Sequence, residues 1–122
     1  MTTREVLAGL ASLAQETRLS IYRLLVQAGP DGLAAGAIGT KLTVPPSSLS
    51  FHLNQLMHAE LIRQQRRSRR LIYAANYERM NGLVAYLTEN CCGGGRPAPA
   101  LKVPGKDEEG ANREAASHTR RR

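Results

Sequence analysis

Tryptophan is absent from this sequence, and phenylalanine occurs once. A core must therefore be assembled from Leu, Ile, Val and Ala, which suits a small helical domain. Cysteine is confined to one adjacent pair, Cys91-Cys92, so the disulfide framework of small secreted folds is excluded. No stretch approaches the roughly 18 consecutive apolar residues of a membrane-spanning helix. The opening residues, MTTREVLAGLASLAQETR, carry Arg4, Glu5, Glu16 and Arg18 and lack the apolar run of a secretory signal. A cytoplasmic chain with reduced thiols and no membrane partner is expected. Acidic residues are scarce, 10 against 17 basic ones in 122 residues, for a net charge of +7. That imbalance points first to a polyanion, most often nucleic acid. There is no phosphate-binding loop, no Gly-x-Gly-x-x-Gly and no Ser/His/Asp constellation, so no enzyme is expected.

The apolar spacing that is present reads as helix. Val6, Leu7, Leu10, Leu13 and Ala14 predict a first helix over residues 4–14. Thr17 is expected to cap a second, largely buried helix holding Leu19, Ile21, Tyr22, Leu24, Leu25 and Val26, which Gly29-Pro30 ends. A short third helix is expected over 35–42. Thr43-Val44-Pro45-Pro46 makes a turn, and a fourth helix follows over about 47–58. A short helix, a tight turn and a second helix with a polar outer face form a helix-turn-helix pattern. Two strand-length segments, ELIRQQRR and RRLIYAA, flank a hairpin tip at Arg67-Ser68-Arg69. A fifth helix is expected over 77–89 with a stripe of Met80, Leu83, Val84 and Leu87, and Gly82 weakens it by about 1 kcal/mol. The expected fold is mostly α with a β-hairpin wing, a winged helix-turn-helix, in one domain over 1–92. Residues 93–122 hold too few large apolar side chains for a core and are expected to be a disordered tail.

Two surfaces of this arrangement suit DNA. The hairpin carries Arg63, Arg66, Arg67, Arg69 and Arg70 and no carboxylate. Charge that merely guards a sheet edge would be served as well by lysine or mixed signs. Arginine alone favours phosphate contact and entry into a narrow minor groove. On the fourth helix, Leu49, Leu53, Leu56 and Met57 share one face, and Ser47, Phe51, Asn54 and His58 lie roughly opposite. Ser47, Ser48 and Ser50 offer hydroxyls, Asn54 suits a bidentate contact to adenine, and Gln55 reaches toward backbone. Phe51 either packs on a thymine methyl or tucks under the wing. His52 sits at the boundary of the core, as a histidine oriented by its neighbours within the DNA-binding helix.

The stretches LASLAQETRLSIYRLLVQAGPDGL and SSLSFHLNQLMHAELIRQQRRSRRLIYAA resemble the ArsR/SmtB family of metalloregulatory repressors, from Leu7 to Cys92. LSFHLNQLMHAELI is similar to the family's recognition-helix signature, a Ser-x-His-Leu core followed by Leu and the entry to a hairpin. The resemblance implies a homodimer with the first and last helices at the interface. It also implies binding to double-stranded DNA at an imperfect inverted repeat, and release of that operator when an inducer binds. Two recognition helices would then enter successive major grooves.

The family's sensor sites vary. The stretch GLAAGAIG lacks the Cys-Val-Cys of one arsenic-sensing group. The last helix has Glu78 and Glu89 but no histidine for a zinc site, and His118 lies far along the tail. AYLTENCC resembles a subgroup of arsenic-responsive repressors with a Cys-Cys pair after the last helix. The resemblance implies Cys91 and Cys92 as ligands for As(III) or methylarsenite, with antimonite bound by the same logic, and no permanently bound cofactor. Many of that subgroup add a third cysteine, which this chain lacks. A third ligand from the partner chain, a hydroxide, or an organic substituent on the arsenic each complete the site. Soft thiolates select soft centres, and adjacent Cα atoms about 3.8 Å apart let two sulfurs grip one atom.

Three other functions compete. A thiol redox sensor of the same family, or a family repressor with no metal inducer, is one; a disulfide between neighbouring residues is strained, which weighs against the redox form. A thiol reductase would place Cys-x-x-Cys at a helix N-terminus, where the thiolate is favoured. A DNA-packaging protein would bind with little sequence preference and a steep salt dependence.

Overall fold

Thr2 opens the first helix. Its hydroxyl accepts the Glu5 N–H at 3.1 Å while the Glu5 carboxylate accepts the Thr2 N–H at 2.9 Å, a reciprocal cap that satisfies two otherwise unpaired amides. The Thr2 amide holds the Glu5 carboxyl below the usual carboxylate range. This is α1, Thr3–Leu13. The computed structural model describes residues 1–90; Cys91, Cys92 and residues 93–122 lie outside the described residues.

The second helix, α2, spans Glu16–Ala28, and its cap is Gln15 rather than the expected Thr17. The Gln15 side-chain oxygen accepts the Arg18 N–H at 2.9 Å. A longer side chain thus does the work usually given to Ser, Thr, Asp or Asn, and Thr17 falls inside the helix. Gly29 ends α2 at a φ of 90°. Gly32, at a φ of 68°, then turns the chain against the sheet.

A strand too short for periodicity to reveal follows, β1, Leu33–Ala34. It leads into α3 (Ala35–Leu42), and Thr43 closes that helix in the left-handed conformation. The fourth helix, α4, is Pro46–His58. The hairpin consists of β2 (Ile62–Arg67) and β3 (Arg70–Ala75). The last helix, α5, is Tyr77–Thr88, capped by Asn76. The three strands lie in the order β1-β3-β2, all antiparallel neighbours, with Leu33 opposite Tyr73 and Ala34 opposite Ile72. The architecture is mostly helical with an antiparallel wing, the expected winged helix-turn-helix.

Ile21 and Leu25 of α2, Ile38 of α3, Leu53 and Leu56 of α4 and Leu61 before β2 form the fully buried centre. They are aliphatic, as the shortage of aromatics requires. Two tyrosines, Tyr22 and Tyr73, complete the core at its edges. Burial pushes the Tyr22 phenol up to about 12, and its hydroxyl has no hydrogen-bond partner among the described residues. The Tyr77 hydroxyl donates to the Val26 carbonyl at 3.0 Å, joining α5 to α2.

Several apolar residues assigned by spacing to the core are exposed instead. Leu7 is 60% exposed, Leu87 is 56% exposed, and Leu10 and Leu19 also face out, as does Met1, which no spacing had placed. Helical spacing places them on one side of their helix but does not say whether the protomer covers that side. The inner side of α1 meets α5 at close range. A Cβ on Gly9 would stand 2.9 Å from Leu83 Cδ1, and the Thr3 and Tyr86 hydroxyls share a 2.6 Å hydrogen bond.

Candidate nucleic-acid interface

The turn between α3 and α4 is tight. The Val44 N–H reaches back to the Gly39 carbonyl at 3.0 Å, and Pro45 and Pro46 pre-set the entry to α4. Pro45 supplies no side-chain cap, and the first turn holds no acid. The first internal bond of α4 runs from the Leu49 N–H to the Pro45 carbonyl, so the Ser47 and Ser48 amides precede it. An open helix N-terminus of this kind favours an anion such as phosphate. Leu49, Leu53 and Leu56 face the core, with Met57 at its edge. Ser47, Ser48, Ser50, Phe51, Asn54 and His58 are exposed, so the polar outer face expected of α4 is present.

His52 and Gln55 flank that face and are half-buried. Arg18 orients His52: its Nη1 lies 3.3 Å from His52 Nδ1, and its Nε donates to the Ser12 carbonyl at 2.7 Å. A guanidinium only donates, so Nδ1 accepts and the imidazole proton sits on Nε2. Burial, and then the Arg18 charge, lower the His52 pKa and so favour the neutral ring. Gln55 lines a cleft between α1, α2 and α4 with Ser12, Arg18 and His58. Arg18 was not singled out from the sequence. Its signal is positional only, one turn into a helix that packs on the recognition helix.

The wing pairs in full register from Ile62 opposite Ala75 to Arg67 opposite Arg70. Its tip is therefore Ser68-Arg69, with Ser68 at a φ of 58°, and Arg67 belongs to the strand. Arg67 and Arg70 face each other across the ladder, and like charges so placed repel. Arg66, Arg67, Arg69 and Arg70 are all exposed, and among the described residues none has a carboxylate in ion-pair range. Arg63 is different. It donates to Asn76 Oδ1 at 3.2 Å and lies 3.6 Å from Glu78. The expectation of an unpaired arginine at 63 is corrected: a carboxylate from α5 reaches the base of the wing, leaving four arginines to face a partner.

Asn76 joins the reading elements to α5. Its Oδ1 accepts the Arg79 N–H and the Arg63 guanidinium, its Nδ2 donates to the Glu60 carbonyl, and its own N–H donates to the Leu61 carbonyl. Glu60 and Leu61 are the exit of α4. Arg79 lies 4.0 Å from both Glu5 of α1 and Glu60. At the other end of α5, Asn90 turns left-handed at a φ of 61°, immediately before Cys91.

A wing of unpaired arginines beside an exposed polar helix after a tight turn defines a winged helix-turn-helix DNA-binding domain. Residues 13–65 match a family profile described as a helix-turn-helix domain. The fold is similar to an ArsR-like transcriptional regulator from Rhodococcus sp. RHA1, with 28% identity over 71% of this chain and 78% of that one, and a TM-score of 0.63. It is similar to the homodimeric winged helix-turn-helix DNA-binding domain of Mb0332 from Mycobacterium bovis, with 27% identity over 71% and 81% of the two chains and a TM-score of 0.57. NolR from Sinorhizobium fredii is 28% identical over 75% of this chain and 89% of its own, with a TM-score of 0.56. No curated protein sequence matches. The profile marks a helix-turn-helix domain, and two of these likenesses are to regulators described as ArsR-like and as a possible ArsR-family member.

Proposed function

We propose that the protein is a homodimeric transcriptional repressor that binds an imperfect inverted repeat and leaves it when a trivalent arsenical is held by Cys91 and Cys92. The observation that carries the DNA-binding part is the wing, with four exposed arginines beside the outer face of α4. Dimerisation is supported by Leu7, Leu10 and Met1 on the α1 side and Leu87 on α5, apolar side chains that one protomer leaves in water. The homodimeric relative from Mycobacterium bovis has the same fold. A two-fold pair of wings and recognition helices matches the symmetry of an inverted repeat.

The inducer reading rests on the sequence Cys91-Cys92 just past α5 and on the connections of that helix. Tyr86 touches α1 near the sensor end, and Asn76 touches the exit of α4 and the wing at the other. A change in how α5 sits therefore reaches both the dimerisation helices and the reading head. In the reducing cytoplasm the pair stays as free thiols. The test is fluorescence anisotropy of the reduced full chain on the inverted repeat upstream of its own gene, titrated separately with methylarsenite and arsenite. Release by methylarsenite at lower concentration is the expected result, because two thiolates complete its coordination. Retention of DNA under both arsenicals would overturn the inducer assignment.

The wing makes its own prediction. Replacing Arg67 and Arg69 by Ala weakens binding to operator and random duplex alike. The slope of log K against log salt becomes shallower by about one for each phosphate contact removed. Anisotropy across a sodium chloride series reads both effects, and an operator-selective loss would contradict the backbone role.

A further inference from the structure

Phe51 is the one phenylalanine of the chain, and it is 55% exposed at the middle of the outer face of α4. It does not tuck under the wing. Its only ring contact among the described residues is an edge-to-face packing on His52, at 5.6 Å between centroids and 65° between planes. That histidine is itself held by Arg18, and Arg18 by the Ser12 carbonyl. The chain of contacts Ser12–Arg18–His52–Phe51 anchors an apolar ring to the junction of α1 and α2, with Asn54 one helical turn further along the same face. An aromatic ring packed on a held neighbour loses less rotamer freedom on contact than one with no neighbour.

We infer that Phe51 is a specificity-determining residue, packing on the C5-methyl group of a thymine in the major groove of each half-site. This rests on α4 being the recognition helix, and goes further by naming the base. The major-groove edges of the four base pairs present donors and acceptors, and the thymine methyl is their one apolar group. A phenylalanine cannot exchange hydrogen bonds with any of the others. The polar neighbours Ser47, Ser50 and Asn54 have donors and acceptors for the surrounding edges, so the apolar reading falls to Phe51 alone. Asn54 lies three residues on, within about 6 Å at Cβ, which places the thymine within one or two base steps of the base that Asn54 contacts.

The experiment starts from the duplex that the reduced full chain enriches from a randomised library. Each thymine of one half-site is then replaced in turn by deoxyuridine, which removes the methyl group and leaves every hydrogen-bonding group in place. The native chain binds about fourfold more weakly at one such position, the loss that follows from uncovering a single methyl. The Phe51→Ala chain binds the thymine and uracil duplexes there equally. Phe51 is exposed, so its removal leaves the fold intact, and unchanged thermal unfolding of the variant verifies this. A flat uracil scan in the native chain, or the same uracil penalty retained by Phe51→Ala, overturns the inference while the regulator reading stands. Failure to enrich any sequence overturns the regulator reading, and this inference with it.

Discussion

Cys91→Ser and Cys92→Ser bind the operator as tightly as the native chain and fail to leave it at arsenical concentrations that release the native chain. Neither residue lies on α4 or on the wing, so DNA affinity has no reason to change. Release does change, because one thiolate holds an arsenical without chelation. The second sulfur acts as an intramolecular ligand at high effective concentration, and losing it shifts the release midpoint upward on the order of a hundredfold or more. The double variant does not respond at all. Anisotropy on the operator, with the arsenical titrated into each variant, measures the midpoints directly. Native-like release from either single variant would remove the pair from the mechanism. Peroxide added in place of the arsenical separates the redox alternative, since a strained vicinal disulfide gives little drive to form.

Gly32→Ala is strongly destabilising, because among the described glycines Gly32 leaves the least room for a Cβ. A Cβ at that position would stand 2.2 Å from the Tyr73 carbonyl oxygen, at a φ of 68° where side chains are already disfavoured. The obstacle is backbone in the middle of β3, the strand that pairs with both β1 and β2. It cannot swing aside as a flexible side chain would. Left-handed strain and displacement of the strand together cost about 3 kcal/mol or more, which for a domain this small lowers the unfolding temperature by roughly 15 °C. Gly36→Ala is the contrast. It lies in α3, and its Cβ would meet nothing within 4 Å, so stability stays level or rises by about 0.5 kcal/mol. Thermal unfolding of the two variants beside the native chain checks both, and equal midpoints would refute the steric account.

The order of elements was readable because each is set by local signals. Aliphatic spacing marked the first, second, fourth and fifth helices, Gly29-Pro30 and Pro45-Pro46 marked breaks, and a run of arginines around Ser68 marked a hairpin tip. Features decided by distant neighbours were not readable. Two residues of β1 carry no period, and only the presence of β3 beside them makes a strand. Gln15 caps α2 although its type seldom does so, and Thr17, of the better type, is inside the helix. Glu78 reaches Arg63 across the fold, which no count of charges within the hairpin reveals. Leu7 and Leu87 have the spacing of core residues yet lie on the outside of the protomer. The recognition face of α4 was the most legible part of the candidate site, because a helix with one buried side leaves its other side defined by elimination. Arg18, which positions His52, was the least legible, being separated from it by 34 positions in sequence.

Asn76 gives α5 a fixed end. Its side chain is bonded to the wing, to the exit of α4 and to the first turn of α5 itself, while the opposite end is hydrogen-bonded to α1, through the Tyr86 and Thr3 hydroxyls. A helix of this length is about 18 Å long, so it acts as a lever with its fulcrum at the base of the wing. A displacement of 1–2 Å at the far end corresponds to a tilt of only about 5°, a size typical of helix shifts at subunit interfaces. Such a tilt leaves the fulcrum nearly still within a protomer. In the proposed two-fold dimer, with α1 and α5 at the interface, small opposed tilts would rotate one reading head against the other. On the proposed mechanism, spacing between half-sites, rather than the shape of either reading head, is the quantity that an event at the far end of α5 would alter.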